Sequence, residues 1–308
     1  MKPVLPSLLL AALGLTGSLH AADAPVHKIL VFTKSAGFEH SVIKQTEGKP
    51  TYVETVLAPL AAANHLEFTF TKDGSVFTPE GLAKFDAFLF YTTGDLTKPG
   101  TDKQPPMPPG GKEALLAAIK GGKGFIGTHS ATDTFHSKAG SVDPYIAMIG
   151  GEFLSHAAQQ VSQVTCTDPK FPGLGVYKDG FKLVEEWYSL RNIAPDLHVI
   201  LVQQTDGMNG WMYQRPAYPE TWIHPYGKGR VFATTMAHRE DSWSNPDFQA
   251  MFLAGIHWAV GDTQADVTPN VAQLCPGYDQ TPVAPLAPPK PAPKPTPQVG
   301  PPSVAPGN

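Results

Sequence analysis

The chain has 308 residues, of which 42% are hydrophobic and 16% are charged, and its net charge is −4 with a pI of about 6.2. This composition is typical of a folded globular protein and excludes an intrinsically disordered chain. No cluster of lysine and arginine is present to neutralise phosphates, so we do not expect nucleic acid as a partner.

The first 22 residues have the pattern of a secretory signal peptide. Lys2 supplies a positive charge, residues 8–15 form an apolar core, and the small residues Ala21 and Ala22 precede Asp23. The apolar run is shorter than the ~20 residues that a membrane-spanning helix needs. We therefore predict cleavage and export to the periplasm or the extracellular space, without a membrane span.

Apolar runs alternate with amphipathic segments along the rest of the chain. Strands are predicted at residues 28–33, 66–71, 87–92, 125–128, 163–166, 198–203 and 231–235, and helices at 51–64, 111–120 and 245–260. Strands that alternate with helices indicate parallel βαβ units. The glycine-rich segment 226–230 (YGKGR) precedes a strand and is predicted to be a hairpin turn rather than a phosphate loop. The pattern predicts an α/β fold.

The chain divides into one domain with flanking segments. Residues 27–262 suit a single α/β domain, and residues 263–280 form a C-terminal extension. Residues 281–308 are rich in proline and alanine and have almost no large apolar side chains, so we predict a disordered tail.

Only two cysteines are present, Cys166 and Cys275. In an exported protein two cysteines can pair, but spacing alone does not show that they come within bridging distance. Neither cysteine has the spacing of a metal ligand or the surroundings of a nucleophile.

Three predicted strands lead into polar segments that carry a histidine. The side chains of interest in these segments are Phe38, Glu39 and His40 in the first, His129 and Asp133 in the second, and His238 with Trp243 in the third. Because the carboxyl ends of parallel strands form the ligand-binding edge of open α/β sheets, we expect these segments to share one pocket.

His129 lies in GFIGTHSATDT (residues 124–134), where a strand gives way to a turn and a helix start, the layout of a nucleophile elbow. No GxSxG motif is present and no cysteine stands here, so acyl transfer is disfavoured and Ser130 is only a weak candidate nucleophile. A histidine at this position can act as an acid, a base or a metal ligand. The alternative is that it merely hydrogen-bonds the turn.

Two further motifs bring carboxylates. In GGEFLSH (residues 150–156), Glu152 and His156 are four residues apart and would share one face of a helix, which is compatible with metal ligation. In EEWY, the acids Glu185 and Glu186 stand beside Trp187 and Tyr188. Carboxylates accept hydrogen bonds from sugar hydroxyls and aromatic faces stack on sugar rings, although a solvated charge pair has the same sequence.

The motifs GFEH, KGFIGTHSATDTF, GGEFLSH, EEWY and YGKGRVFATTMAHREDSWSNPDFQ, in this order, resemble the trehalose-utilisation (ThuA-like) family over residues 27–262. The resemblance implies a flavodoxin-like three-layer sandwich similar to class I glutamine amidotransferases, with a mostly parallel central sheet. It places His129 where amidotransferases hold their cysteine nucleophile, which argues against glutamine hydrolysis. It also implies a role in the use of trehalose and related disaccharides through 3-keto sugars, and many such proteins are exported.

The chain departs from the family pattern at two places. Relatives usually read GFRHD where this chain has Glu39 and Ser41 around His40, and they often have glycine where this chain has Ala237. The histidines are retained at both places, but the charges beside His40 differ.

The leading hypothesis is an exported enzyme that acts on a disaccharide or 3-keto sugar by histidine and carboxylate acid–base chemistry, as a sugar isomerase, lyase or hydrolase. The predicted catalytic residues are His129, His238, His40 and Glu185. The predicted substrate-binding residues are Phe38, Glu39, Asp133, His156, Glu186, Trp187, Tyr188 and Trp243. A divalent metal held by some of these side chains would polarise a sugar carbonyl, but no HxH or HExxH spacing selects its ligands.

Two other hypotheses remain open on the sequence. One is a carbohydrate-binding protein without catalysis, which would use the same pocket. The other is a structural surface protein displayed by the proline-rich tail, which would have no affinity for saccharides.

Overall fold

The computed structural model describes residues 25–285, and the chain in this range folds around a nine-stranded sheet. The strands are β1 (His27–Phe32), β2 (Leu66–Thr71), β3 (Ala87–Phe90), β4 (Gly124–Thr128), β5 (Glu152–Ser155), β6 (Gln160–Cys166), β7 (Phe181–Glu185), β8 (Ser189–Arg191), β9 (His198–Gln203), β10 (Tyr218–Tyr226) and β11 (Gly229–Thr234). The α-helices are α1 (Tyr52–Ala61), α2 (Pro79–Leu82), α3 (Gly111–Lys120), α4 (Pro144–Ile149), α5 (Glu240–Ser244), α6 (Pro246–Val260) and α7 (Val271–Leu274).

The central sheet has the strand order β2-β1-β3-β4-β11-β10-β9-β6-β7. The first five strands of this order pair in parallel, whereas each later neighbour pairs antiparallel. Seven of these nine strands therefore run in one direction, because only β10 and β6 are reversed. The predicted α/β fold with a mostly parallel central sheet is confirmed.

Helices cover both faces of the sheet, which explains why its inner strands read as continuous apolar runs. Ile29 and Val31 of β1 pack in one core with α1 and α6, while Leu30 and Phe32 pack in the other with α3 and α4. Alternate residues of one strand thus feed two separate cores, as a three-layer sandwich requires.

The predicted helices are present with local signals at their starts. Thr51 and Glu54 form a reciprocal capping box at the start of α1. Asn245 caps α6 as predicted, with its side chain accepting from the N–H groups of Asp247 and Phe248. The glycine-rich segment 226–230 is the turn between β10 and β11.

The predicted C-terminal extension is part of the folded structure. Residues 263–280 pack on the domain, since Val271 and Cys275 are buried in the same core as α3. Cys166 and Cys275 are both free. The predicted signal peptide, residues 1–22, and residues 286–308 of the predicted tail lie outside the described residues. Within residues 25–285, no helix combines the length and the apolar character that crossing a membrane requires.

Gly255 sets how closely α6 approaches the sheet. A Cβ at this position would lie 2.7 Å from the ring of Phe232 on β11. We expect Gly255→Ala to lower the free energy of unfolding by about 1–3 kcal/mol despite its better helix propensity, because the helix must move off the sheet. Gly175→Ala, where a Cβ meets nothing within 4 Å, is the control in urea denaturation. An unchanged midpoint for Gly255→Ala would contradict this role.

Candidate functional site

The carboxyl ends of several strands bring three histidines and one carboxylate together. His40 follows β1, His129 follows β4, Glu186 follows β7 and His238 follows β11. One ring nitrogen of each histidine and one oxygen of Glu186 all lie within 4.8 Å of one another. These four residues form the histidine centre. The expected convergence of the strand ends is confirmed for them.

His129 is held in an unusual backbone conformation at the start of a 3-10 turn, His129–Asp133, with φ +47°. The side chain is buried, and its Nδ1 donates to the carbonyl of Thr235 at 2.8 Å. Because a carbonyl only accepts, Nδ1 carries the proton and Nε2 offers a lone pair. That lone pair lies 3.3 Å from Nδ1 of His238. A strained, buried histidine of this kind is typical of a functional position.

Glu186 is the carboxylate of the histidine centre. Its Oε2 lies 3.1 Å from Nδ1 of His238 and 3.5 Å from Nε2 of His129, and its Oε1 lies 3.3 Å from Nδ1 of His156. Burial raises the pKa of Glu186, but the neighbouring imidazoles of His129 and His238 outweigh it and hold the pKa well below the usual range. The group is therefore an anion among imidazoles.

Glu185, predicted to be catalytic, has a different position. Its buried Oε1 accepts from the backbone N–H groups of Ala237 and His238 and from the hydroxyl of Ser242, each at 2.9 Å. Its carboxylate is therefore committed to this segment and does not join the histidine centre. The assignment of catalysis to Glu185 is wrong in this respect: it positions His238 through the backbone.

A second buried carboxylate, Glu220 of β10, holds the preceding residues. Its Oε1 accepts from the N–H groups of Thr235 and Met236 at 3.0 and 2.9 Å. Between the two carboxylates, Ala237 has φ +82°, where a residue with a Cβ is strained. This conformation gives a physical reason for the glycine that relatives often have here.

His40 is 2% exposed, and its ring centroid lies 5.0 Å from that of His129 and 5.2 Å from that of His238. Burial, helped by His129 and His238, lowers the pKa of His40 to about 2, so this imidazole is neutral. Nε2 of His40 lies 3.4 Å from the hydroxyl of Tyr188. Among the described residues, Nδ1 has no hydrogen-bond partner.

A cavity of about 360 Å³ opens onto the histidine centre. Its lining residues are Phe38, His40, Asp133, Phe153, His156, Glu186 and Tyr188. Phe38 is 69% exposed and stands at the mouth, while Phe153 and His156 come from the small sheet of β5 and β8 and the residue after it. The volume lies in the range of small-molecule sites.

The two tryptophans expected to stack on a sugar do not reach this cavity. Trp187 is fully buried and donates to the carbonyl of Gln160, and Trp243 is 1% exposed and donates to the carbonyl of Ala237. The stacking prediction is wrong for both, because each indole is packed in the core and leaves no face for a ligand. Phe38, Phe153 and Tyr188 supply the aromatic surface instead.

Glu39 and Glu152 also lie away from the histidine centre. Glu39 pairs with Lys72 at 3.1 Å. Glu152 and His156 do not share a helix face, because Gly150 ends α4 at φ +95° and the chain then continues as β5. Glu152 is buried against Arg191 and Asn192, at 2.7 and 2.6 Å.

Sequence reasoning missed three participants. His136 bridges Asp133 at 2.7 Å and Glu152 at 3.1 Å, and its place three residues after Asp133 was the available signal. Phe153 lies in the GGEFLSH motif, in which only the acid and the histidine carry a chemical signal. Glu220 lies in β10, where nothing in the sequence marks it as an acceptor for another strand.

Comparison with known proteins agrees with the architecture. The sequence model of one family, ThuA (trehalose utilisation), matches residues 28–259. No curated protein sequence matches the chain. A ThuA-like protein from Bacteroides uniformis has a similar structure, with a TM-score of 0.60 and 17% identity over 80% of this chain and 97% of its own. A ThuA-like protein from Parabacteroides merdae gives 0.56 and 14% over 84% and 96%. At these identities, the two structures show a shared fold.

Glu185 is expected to be essential for the order of the segment before His238. Glu185→Ala leaves two buried N–H groups and one hydroxyl without an acceptor, so we expect the free energy of unfolding to fall by about 3 kcal/mol or more. Ser242→Ala removes one donor and should cost about 1 kcal/mol. Urea denaturation measures both, with the exposed Glu240→Ala as control. Equal losses for Glu185→Ala and Glu240→Ala would contradict the role.

Glu152 makes stability depend on pH. Burial raises its pKa, but hydrogen bonds from Ser137, Arg191, Asn192 and His136 prevail and lower it from 4.5 to about 2. Because the folded pKa is the lower one, the stabilisation is fully present above about pH 4.5 and is lost as pH falls towards 2. Glu152→Gln should therefore be less stable than wild type at pH 7, with a gap that narrows between pH 5 and 3. The measurement is urea denaturation across this range, and the exposed Glu47→Gln is the control. A gap that does not change with pH would rule out this coupling.

Proposed function

The chain belongs to the ThuA family, whose members are involved in trehalose utilisation, and on this premise we propose that it is an exported enzyme acting on a disaccharide or 3-keto sugar. The observation that carries the proposal is the histidine centre, with His40 and His129 buried, at the base of a cavity with an aromatic rim. Family membership supports a role in carbohydrate metabolism, and the side chains at the cavity support acid–base chemistry.

The rim suits a sugar ring. Phe38 offers an exposed aromatic face, and Phe153 and Tyr188 lie with ring centroids 4.2 Å apart on the wall. Aromatic faces pack on the C–H surface of a pyranose, while carboxylates accept from its hydroxyls. Asp133 lines the same cavity, and its carboxylate would accept a hydrogen bond from a sugar hydroxyl.

The reaction that fits this arrangement is proton removal next to a sugar carbonyl. The carbonyl oxygen approaches the histidine centre, and a base removes a proton from the adjacent carbon. The electron pair of that C–H bond forms a C=C double bond, and the π pair of the carbonyl moves onto the oxygen to give an enolate. Return of a proton to carbon completes an isomerisation, whereas cleavage of the C–O bond to a glycosidic oxygen at the next carbon, with a proton delivered to the departing oxygen, completes an elimination.

His156 is the base in this proposal. Its Nδ1 lies 2.9 Å from the carbonyl of Ala157, which makes Nδ1 the donor and leaves Nε2 with a lone pair. The side chain is 39% exposed and lines the cavity, so it is accessible to a bound sugar. Glu186, 3.3 Å from Nδ1, stabilises the imidazolium that forms when the proton is taken.

The alternative, a carbohydrate-binding protein without catalysis, uses the same cavity. Recognition of a neutral sugar does not require three clustered imidazoles or a histidine at φ +47°. Such strained and desolvated groups are costly and cluster at catalytic sites. This cost favours the enzyme over the binding protein.

His156→Ala tests the reaction. Incubation with 3-keto-trehalose in D₂O, followed by NMR, measures deuterium uptake beside the carbonyl and any product. We expect about 10²- to 10⁴-fold slower exchange in His156→Ala, the usual contribution of a general base, with the affinity for the sugar retained. His65→Ala, outside the cavity, is the control. Wild-type protein that binds such sugars but neither exchanges nor converts them would support the binding protein instead.

Phe38→Ala tests the sugar platform. The side chain is largely exposed, so its removal should leave stability unchanged while weakening sugar affinity about 2- to 10-fold, the contribution of one aromatic contact. Isothermal titration with trehalose and its 3-keto form measures the affinity. Val176→Ala, an exposed apolar residue elsewhere, is the control. An unchanged affinity would remove Phe38 from the binding surface.

A further inference from the structure

We propose that the histidine centre of His40, His129, His238 and Glu186 binds one divalent transition-metal ion of the zinc class. The proposal deepens the proposed function, because the ion would lie at the same site and, by expanding from four to five ligands, would polarise the same carbonyl. The role of the ion as a cofactor rests on the proposed function, but binding of the ion can be measured without any sugar.

The distances within the centre match the coordination shell of such an ion. Nε2 of His129, Nδ1 of His238 and Oε2 of Glu186 are separated pairwise by 3.3, 3.5 and 3.1 Å. A tetrahedral zinc ion with bonds of about 2.0–2.1 Å to nitrogen and oxygen has ligands about 3.3–3.4 Å apart. These three atoms therefore form nearly one face of a tetrahedron.

His40 supplies the fourth donor. One of its ring nitrogens belongs to the group of atoms that lie within 4.8 Å of one another. The imidazole is 2% exposed, and its Nδ1 has no hydrogen-bond partner among the described residues. A buried ring nitrogen without a partner is uncommon unless a ligand engages the group.

The donor set selects the class of metal. Three imidazoles and one carboxylate suit zinc, cobalt, nickel or ferrous iron, whereas magnesium and calcium prefer oxygen donors throughout. One carboxylate against a dication leaves a net charge of +1 at the centre, which suits the stabilisation of an enolate oxygen. Because most of the donors are nitrogen atoms, calcium and magnesium are not expected to compete with the transition metal for this site.

The surroundings also have the features of a metal centre. The carbonyl of Thr235 accepts from Nδ1 of His129, which directs the lone pair of Nε2 inward, as outer hydrogen bonds do for metal-bound histidines. Glu185 and Glu220 fix the segment that carries His238. The cavity reaches His40 and Glu186, so an ion has an access route and a sugar oxygen can reach it.

The test uses the mature chain, stripped with a chelator and titrated with Zn²⁺ and with Co²⁺ in the absence of sugar. We expect one equivalent of metal, a melting temperature that rises with metal concentration, and visible absorption of the cobalt form from a four-coordinate site. Mg²⁺ and Ca²⁺ should produce none of these changes. Failure of Zn²⁺ and Co²⁺ to bind at millimolar concentration would overturn the proposal.

Variants locate the ion. Glu186→Gln keeps the shape of the side chain but removes the charge, and it should weaken zinc binding by at least about 100-fold; His129→Ala should do the same. Circular dichroism establishes that each variant is folded, and Glu240→Gln, an exposed acid near the site, is the matched control. Zinc binding to Glu186→Gln with wild-type affinity would overturn the proposal. Metal binding without sugar turnover would support the metal site and refute the proposed enzyme. Sugar turnover by metal-free protein would support the enzyme and refute the role of the ion as its cofactor.

Discussion

One buried carboxylate joins the two halves of this molecule. Glu185 ends β7, the outermost strand of the antiparallel half, yet its oxygen receives the N–H groups of Ala237 and His238 just after β11. Three strands separate β7 from β11 in the sheet. A single acceptor therefore fixes the segment after β11, in the parallel half, relative to the end of β7, in the antiparallel half. Because Glu186 is the next residue, the same contact sets the distance between Glu186 and His238.

The histidine centre combines strain with desolvation, and the fold provides rigid support for both. His129 and Ala237 adopt left-handed backbone conformations, and His40 is buried while polar. Such features persist only where the surrounding structure determines them strongly. Here the strained residues are held in place by central strands that are buried on both faces and by carboxylates that each accept several hydrogen bonds. The rigidity is concentrated behind the centre, while its front faces the cavity.

The sequence was informative wherever one strand and its exit decide the outcome. The apolar runs that become β1, β4 and β11 were recognisable, and so were the histidines at their ends. The roles of Glu185 and Glu186 were not, because neighbouring residues of an extended chain point to opposite sides and only the pairing of distant strands decides which side faces the pocket. Trp187 and Trp243 failed for a related reason: an aromatic residue beside polar ones serves equally as core or as wall, and burial is a tertiary property.

One wall of the cavity comes from the small sheet of β5 and β8, whereas its base comes from the central sheet. Phe153 belongs to β5, whereas His40, His129 and His238 all follow strands of the central sheet. Substitutions in the small sheet can therefore widen or narrow the cavity without disturbing the histidine centre. Such an arrangement allows the size of the ligand that fits the cavity to change through residues of the wall, while the residues of the floor stay in place.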